Sequence, residues 1–233
     1  MKNMKNRFTP VFVSALSVGA VALVGQSALA QTTLYDNTST AYSGANFNFD
    51  SGGAGAVSAG NEVVLTGGSG GVYTVSQFAV QIDFTGTGTP TGNVDVQFLQ
   101  NDGPAFNGYA TPNTVLWDAG ATSLTSFSTG GGEVLTYTVP NISVPQDFTY
   151  VVSFSGLTST EVAGLSIYGA PTIGVDHNDA WVNNGSWTLE QAGAGQPSPQ
   201  FGAQITGTVV PEPSTIALGL MGACGFLARF RKK

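Results

Sequence analysis

Apolar residues alternate with polar residues in three separate stretches of this 233-residue chain. The stretches are residues 78–84, where the small Ala79 stands at one of the alternating positions with Gln81 and Asp83, residues 94–98, and residues 148–154, where Val151 is the one exception. Because successive side chains of a β-strand point to opposite faces of a sheet, a period of two indicates strands that are buried on one face. Residues 31–209 show no sustained helical spacing. This part of the chain is therefore predicted to be all-β.

Glycine accounts for 27 of the 180 residues from 31 to 210, which is about twice its usual share. Such usage is typical either of low-complexity disorder or of a β protein with many tight turns, and the alternating strands favour the second. Predicted turns at 85–92, 101–104 and 129–132 accompany further candidate strands at 62–66, 114–118, 134–139, 165–168, 187–190 and 201–209. Nine or ten strands in all predict a jelly-roll-like β-sandwich. Residues 51–60 and 191–199 are expected to be its least ordered segments.

Basic residues occur only at the two ends of the chain. All seven Lys and Arg residues lie in the first seven or the last five positions, whereas the 14 Asp and Glu residues all lie between Phe8 and Ala228. Binding to nucleic-acid phosphates needs Lys or Arg to displace counterions, so no nucleic-acid partner is expected. The same interior has no Lys for a Schiff base and no Arg for an oxyanion clamp. We predict that the protein is not an enzyme.

Residues 1–30 have the parts of a secretory signal peptide. A basic stretch over residues 2–7 precedes an apolar run over residues 11–24, and Ala28 and Ala30 form an Ala-x-Ala cleavage site before Gln31. The apolar run is shorter than the roughly 20 residues that a membrane span prefers. We therefore predict cleavage by signal peptidase and an exported domain over residues 31–209.

The C-terminal segment, residues 210–233, combines three features. Pro211, Glu212 and Pro213 precede an apolar stretch over residues 215–228, and the chain ends in a basic tail formed by Arg229, Arg231, Lys232 and Lys233. At about 1.5 Å per residue a short helix here falls below the roughly 30 Å hydrocarbon core, but snorkelling of the basic side chains extends its reach. We predict one C-terminal transmembrane helix whose basic tail lies in the cytoplasm.

This order of a Pro-Glu-Pro tripeptide, one apolar segment and a terminal basic cluster resembles the PEP-CTERM sorting signal of Gram-negative bacteria. The resemblance implies that exosortase, a membrane-embedded cysteine protease, recognises the tail and cleaves near Pro211, Glu212 and Pro213. It implies a precursor anchored in the inner membrane. It also implies a processed protein at the cell surface or in the extracellular matrix, in a group of proteins often associated with exopolysaccharide.

The exported domain resembles the "choice-of-anchor" domains, which occur with different C-terminal anchors. The motifs that carry this resemblance are Leu34-Tyr35-Asp36-Asn37 and the segments at 94–98, 101–104, 115–118 and 181–185. They span most of residues 31–208. The resemblance brings no catalytic residues with it.

The single histidine, His177, stands in the sequence Asp176-His177-Asn178-Asp179. A structural zinc site would need Cys or further His ligands, and the one cysteine, Cys224, lies in the predicted membrane helix. Asp176, Asn178 and Asp179 offer hard oxygen ligands in a short loop, which makes them a candidate calcium site. A solvated turn is the alternative. No other cofactor is expected.

Three aromatic residues, Tyr168, Trp181 and Trp187, lie within twenty residues of one another. Aromatic faces stack on sugar rings, so these residues are candidate glycan contacts, with packing in the core as the alternative. We predict a non-catalytic structural or interaction role linked to exopolysaccharide. A carbohydrate-binding module is the alternative, and a glycoside hydrolase with paired carboxylates is the least favoured function.

Overall fold

The computed structural model of the protein describes residues 30–50, 58–67, 72–86, 88–128, 131–191 and 198–210. The predicted signal peptide up to residue 29, the sorting tripeptide, the membrane helix and Cys224 lie outside these ranges. Within them, no helix is long and apolar enough to cross a membrane. Their regular structure consists of β-strands and one 3-10 helix, Leu124–Ser126, so the all-β prediction is confirmed for this part of the chain.

Fourteen strands are present in the described residues. In chain order they are β1 (Thr32–Asp36), β2 (Tyr42–Asp50), β3 (Ser58–Val64), β4 (Val72–Thr85), β5 (Asn93–Phe106), β6 (Tyr109–Asp118), β7 (Thr122–Ser123), β8 (Gly131–Val144), β9 (Asp147–Ser155), β10 (Val162–Tyr168), β11 (Val175–Asp176), β12 (Asp179–Asn183), β13 (Trp187–Gln191) and β14 (Ala203–Val210).

The strands form two sheets in which every pairing is antiparallel. The six-stranded sheet has the order β1-β14-β4-β10-β2, with β8 also paired to β4. The eight-stranded sheet has the order β13-β12-β3-β9-β5-β6, and β11 and β7 pair with β3 and β5. Four strand pairs are nested along the chain, each enclosing the one before it, and they alternate between the two sheets. From the innermost outward they are β5 with β6, β4 with β8, β3 with β9 and β2 with β10. This nesting fits a jelly roll.

The core lies between the two sheets and is rich in aromatic rings. Phe78 of β4 lies 5.1 Å from Phe98 of β5 and 5.2 Å from Tyr150 of β9, measured between ring centroids. Phe84 and Phe154 form a further pair across the sheets at 5.6 Å. Edge-to-face and tilted pairs of this kind add about 0.5–1.5 kcal/mol each beyond the burial of their area. The predicted sandwich is therefore confirmed, with the alternating stretches as its inner faces.

Three predicted turns or loose segments are partly wrong. Residues 101–104 belong to β5, which shifts register against β6 on both sides of Asn101 and turns only at Asn107-Gly108. Both turn residues have positive φ, 52° and 91°, as a two-residue hairpin loop requires. Residues 58–60 open β3, and residues 131–132 open β8. Residues 51–57 and 192–197, which make up most of the segments expected to be least ordered, lie outside the described ranges.

Gly60 ends a glycine-rich segment and yet lies in strand β3, where the neighbouring strand leaves no room for a side chain. A Cβ at this position would lie 1.8 Å from the carbonyl oxygen of Tyr150 on the neighbouring strand β9. Glycine in a strand often marks such a close backbone approach. The glycine is therefore compatible with the strand and is required by its packing. Five strands are not predicted from the sequence. Two of them, β7 and β11, have only two residues each. In β2 the apolar residues are interrupted by Gly and Asn, and in β1 and β12 they are adjacent and do not alternate with polar residues.

Candidate functional site

A cleft of about 500 Å³ opens on the outer face of the six-stranded sheet. In β4 the residues that line the cleft, Gln81, Asp83 and Thr85, alternate with the core residues Ile82 and Phe84. The full lining, named here the tyrosine cleft, is Tyr42, Asn46, Gln81, Asp83, Thr85, Gly132, Ser166 and Tyr168. Strands β2, β4, β8 and β10 all contribute to it, so the cleft exists only when the sheet is assembled.

Two tyrosine rings stand at one end of the tyrosine cleft. Tyr42 of β2 and Tyr168 of β10 are register partners, and their ring centroids are 5.7 Å apart with an interplanar angle of 49°. The Tyr42 hydroxyl donates to Asn46 Oδ1 at 2.8 Å, and the Tyr168 hydroxyl donates to Gln81 Oε1. These hydrogen bonds fix the two rings, and Tyr42 remains 47% exposed. The cleft thus presents an ordered aromatic surface to solvent.

Asp83 lies deep in the tyrosine cleft with an unused oxygen. This residue is only 5% exposed, and its Oδ2 has no hydrogen-bond partner among the described residues. Burial raises the pKa of this carboxyl above its ordinary value. A buried oxygen without a partner is costly, which indicates that the site is suited to a donor from a ligand or from water.

Gly132, which lines the cleft beside Asp83, has no side chain to fill the space there. Gly132 of β8 pairs with Asp83, and a Cβ added to Gly132 would lie 3.3 Å from Ser166 Oγ. A second cavity of about 440 Å³ continues along the same outer face, and Gln81 lines both. Its other polar lining includes Gln77, Thr136 and Gln204. The two cavities together form a polar, amide-rich strip across the sheet.

The predicted aromatic platform is not formed as a single surface. Trp181 lies in β12 of the other sheet and is completely buried, with Phe106 and Trp187 packed against it at centroid distances of 6.3 and 6.5 Å. Its indole therefore has no face available for a sugar, which corrects that part of the prediction. Trp187 is half-buried on β13 of the same sheet. Of the three predicted glycan contacts, only Tyr168 lies in the cleft.

The predicted calcium loop folds as a hydrogen-bonded turn. Asp176 Oδ1 accepts from the Asn178 backbone N–H at 2.8 Å, and Oδ2 accepts from the Tyr35 hydroxyl at 3.3 Å. Asn178 Oδ1 accepts from Gln200 Nε2 at 2.8 Å. Asp179 is 7% exposed, and its Oδ1 has no partner within the described ranges. The side-chain oxygens of Asp176 and Asn178 are thus already used by protein donors.

The comparisons with known proteins concern the C-terminal end. The family model described as the PEP-CTERM protein-sorting motif matches residues 209–233. The match contains Pro211, Glu212 and Pro213 and the basic tail of Arg229, Arg231, Lys232 and Lys233, all of them outside the described residues. No curated protein and no solved structure matches the chain. The motif implies an exported protein that is made as a membrane-anchored precursor and sorted by exosortase.

Proposed function

We propose that the exported domain is a non-catalytic polysaccharide-binding component of an exopolysaccharide layer, and that the tyrosine cleft is its binding site. The observation that carries this proposal is the combination of two fixed tyrosine rings with the unpartnered carboxylate oxygen of Asp83 in one cleft. Small-molecule sites characteristically combine an apolar surface with a few placed polar groups. The tyrosine cleft has this composition.

The chemistry of the cleft suits a pyranose ring. The apolar face of a sugar packs on an aromatic ring, and Tyr42 offers such a ring at the cleft entrance. Sugar hydroxyls donate to a carboxylate or an amide oxygen, and Asp83 and Gln81 supply both types. Ser166 adds a hydroxyl that both donates and accepts. Each of these groups can be satisfied by the ring face or the hydroxyl groups of an uncharged sugar.

Charge predicts which glycans bind. Residues 31–209 contain 13 acidic side chains and no Lys or Arg. Like charges repel an anionic polymer at low ionic strength, and the repulsion is screened by salt. We therefore expect neutral polysaccharides to bind and uronate-rich or sulfated polysaccharides to be excluded.

The lining of the cleft also supports a non-catalytic role. Glycoside hydrolases place two carboxyl groups on either side of the scissile bond. Asp83 is the one acidic residue among those that line the tyrosine cleft. A single carboxylate provides a binding contact but not the paired acid and base that hydrolysis uses.

Replacing Tyr168 with Ala is expected to weaken binding to a neutral glycan about tenfold, because the loss of an aromatic contact worth about 1.4 kcal/mol corresponds to that factor. A glycan array identifies the ligand, and isothermal titration calorimetry measures the affinity. Tyr109→Ala is the matched control, since Tyr109 is 53% exposed but lies at the β5–β6 turn, away from the cleft. Equal affinity of the Tyr168→Ala and Tyr109→Ala variants would contradict the assignment of the cleft.

Two further arms make the binding test sharper. Asp83→Asn keeps the shape of the side chain but changes the acceptor, and it should reduce affinity without changing the fold. If the Trp187→Ala variant loses binding while the Tyr168→Ala variant binds fully, the glycan binds to the eight-stranded sheet and the proposal is refuted. Release of reducing sugar from the bound polysaccharide would refute the non-catalytic role.

Processing by signal peptidase and exosortase predicts a defined mature chain. The protein isolated from the cell surface should begin at Gln31 and should lack the basic tail that ends at Lys233. Intact-mass spectrometry measures both ends in one experiment. A Glu212→Ala variant is expected to retain the tail if the tripeptide is recognised. A surface-isolated wild-type chain that still contains Lys233 would rule out the predicted C-terminal cleavage.

A further inference from the structure

Three strands bring two carboxylates and the only imidazole of the chain together on the outer face of the eight-stranded sheet. Glu62 lies on β3, Asp147 opens β9, and His177 follows β11. The pairing of Val64 with Asp147 and of Val63 with Asp176 sets their register. One ligand atom from each of Glu62, Asp147 and His177 lies within 4.8 Å of the other two. We name these three residues the carboxylate–imidazole cluster.

We propose that the carboxylate–imidazole cluster binds one divalent transition-metal ion of the Zn²⁺ type. His177 Nε2 and Glu62 Oε1 are 3.7 Å apart. Ligand atoms about 2.1 Å from a tetrahedral ion lie roughly 3.4 Å from one another, so small side-chain rotations bring the three atoms to bonding distance. The cluster lies on the opposite sheet from the tyrosine cleft, and the inference does not depend on the proposed function.

The charge of the domain makes a cation favourable at this position. Glu62 and Asp147 lie close together, and the Glu62 side chain is only 15% exposed. Between Phe8 and Ala228 the chain has no Lys or Arg, so neither carboxylate can form an ion pair with one from this domain. Two carboxylates that share a site repel each other when both are ionised. A divalent ion removes that repulsion and uses His177 as a third ligand.

Neighbouring side chains hold the carboxylates as a metal site requires. Asn101 Nδ2 donates to Asp147 Oδ1 at 3.0 Å, and Thr149 in turn donates to Asn101 Oδ1 at 2.7 Å. The indole Nε1 of the completely buried Trp181 has no hydrogen-bond partner that meets normal geometry within the described ranges. It lies near Glu62, where it opposes the rise in the Glu62 pKa that burial and the neighbouring Asp147 cause. Such donors orient ligating carboxylates and are part of most metal centres.

The ligand types select the class of ion. Calcium and magnesium prefer oxygen ligands, whereas an imidazole nitrogen beside carboxylates suits Zn²⁺ and its first-row neighbours. Three protein ligands leave at least one position for water or an external group. The His177 side chain is 43% exposed, so the ion can enter from solvent. The site would therefore be an open metal centre and not a closed structural one.

The first test uses the single histidine as a reporter. We expect that adding Zn²⁺ to the full chain in detergent shifts the imidazole proton resonances of His177 and saturates at one ion per chain. Because the chain has one histidine, the assignment needs no variant. A Cys224→Ser background removes the one thiol as a competing ligand. Imidazole resonances that do not respond to Zn²⁺ would overturn the proposal.

The second test measures Zn²⁺ affinity in variants. His177→Gln, Glu62→Gln and Asp147→Asn are each expected to weaken binding at least tenfold, since loss of even an outer partner of a metal ligand costs about 10–100-fold. Glu190→Gln and Asp118→Asn are matched controls on the same sheet and should bind as the parent does. Circular dichroism confirms that each variant is folded. Equal affinity in His177→Gln and in the controls would show binding to scattered carboxylates and would refute the site.

A competition experiment with Ca²⁺ distinguishes this site from the loop at Asp176, Asn178 and Asp179. Ca²⁺ should compete weakly with Zn²⁺ and should leave the imidazole nitrogen unbound. If Ca²⁺ binds more tightly than Zn²⁺ and Asp179→Asn abolishes that binding while His177→Gln does not, the metal belongs to the loop. That result would refute the carboxylate–imidazole cluster as the metal centre.

Discussion

Replacing Asn61 with Ala is expected to lower the free energy of unfolding by about 3–5 kcal/mol, because the substitution leaves several buried polar groups without partners. Asn61 lies in β3 and is completely buried. Its side-chain amide donates hydrogen bonds through Nδ2 and accepts them through Oδ1 at the same time. A buried amide of this kind stabilises a fold only when all its partners are in place.

The contacts of Asn61 join distant parts of the chain. Nδ2 donates to the carbonyl oxygens of Asp179 at 2.5 Å and Pro199 at 2.8 Å. Oδ1 accepts from the Phe201 backbone N–H at 2.7 Å and from the Tyr150 hydroxyl at 3.3 Å. The segment at 199–201 leads into β14 of the six-stranded sheet, whereas Asn61 belongs to the eight-stranded sheet. The side chain therefore links the two sheets near one end of the sandwich.

Chemical denaturation of the full chain and of Asn61→Ala measures the difference. Asn184→Ala is the control, because Asn184 is exposed in the turn between β12 and β13, and such surface substitutions usually change stability by less than about 0.5 kcal/mol. An Asn61→Asp variant should also be destabilised, since a carboxylate cannot donate to the carbonyls of Asp179 and Pro199. A loss below about 1 kcal/mol in Asn61→Ala would contradict the role assigned to this network.

Local pattern is sufficient to predict the central strands of the core, but not β1, whose buried Leu34 and Tyr35 are adjacent and do not alternate with polar residues. In β4 and β5, and in β9 apart from Val151, the apolar residues of the core alternate with mostly polar residues, so the period of two is visible in the sequence. The sandwich follows from these strands because each must bury its apolar face against another layer. Strands without this pattern escape prediction. In β2 the residues Ser43, Gly44 and Asn46 interrupt the apolar pattern, so the sequence does not indicate a strand although Tyr42 and Phe47 belong to one.

The tyrosine cleft could not be predicted from local pattern, because register across the sheet creates it. Tyr42 and Tyr168 become neighbours only through the pairing of β2 with β10. Asp83 joins them because β10 also pairs with β4. The carboxylate–imidazole cluster depends in the same way on the pairing of β3 with β9 and β11.

Trp181 shows why burial of an aromatic residue is hard to predict. It lies on β12 opposite Gly60 of β3, and it does not belong to the main core cluster. Phe106, at the end of β5 in the long β5–β6 hairpin, packs against its ring. The sequence contains the Asn107-Gly108 turn signal of this hairpin, but a turn signal does not say which surface the hairpin covers.

Raising the pH from about 5 to about 8 is expected to destabilise the domain, because two partly buried carboxyl groups must ionise. Burial raises the pKa of Asp176 to about 7, and the nearby Asp179 adds to the rise, although hydrogen bonds from Asn178 and Tyr35 oppose it. Burial and the neighbouring Asp147 raise the pKa of Glu62 to about 7, although His177 opposes the rise. Both values lie well above those of the unfolded chain, near 4.

The direction of the effect follows from proton binding. A folded state with raised carboxyl pKa values holds protons that the unfolded state releases, so stability falls as pH rises. The stabilising contribution is complete below about pH 4 and is lost progressively up to about pH 7. One pKa unit corresponds to about 1.4 kcal/mol, so ionisation of Asp176 alone should cost at most about 3 kcal/mol between pH 5 and pH 8. Glu62 should act in the same direction.

Thermal or chemical unfolding at several pH values, with EDTA present to remove metal, measures this loss. Asp176→Asn keeps the shape of the side chain without a titrating proton, so it should remove the Asp176 part of the pH dependence. Asp102→Asn is the control of opposite sign, because hydrogen bonds from Thr114 lower the pKa of the Asp102 carboxyl. If Asp176→Asn loses as much stability as the parent between pH 5 and pH 8, the buried turn at Asp176 is not the source. The acidic surface as a whole would then explain the effect, and added salt should suppress it.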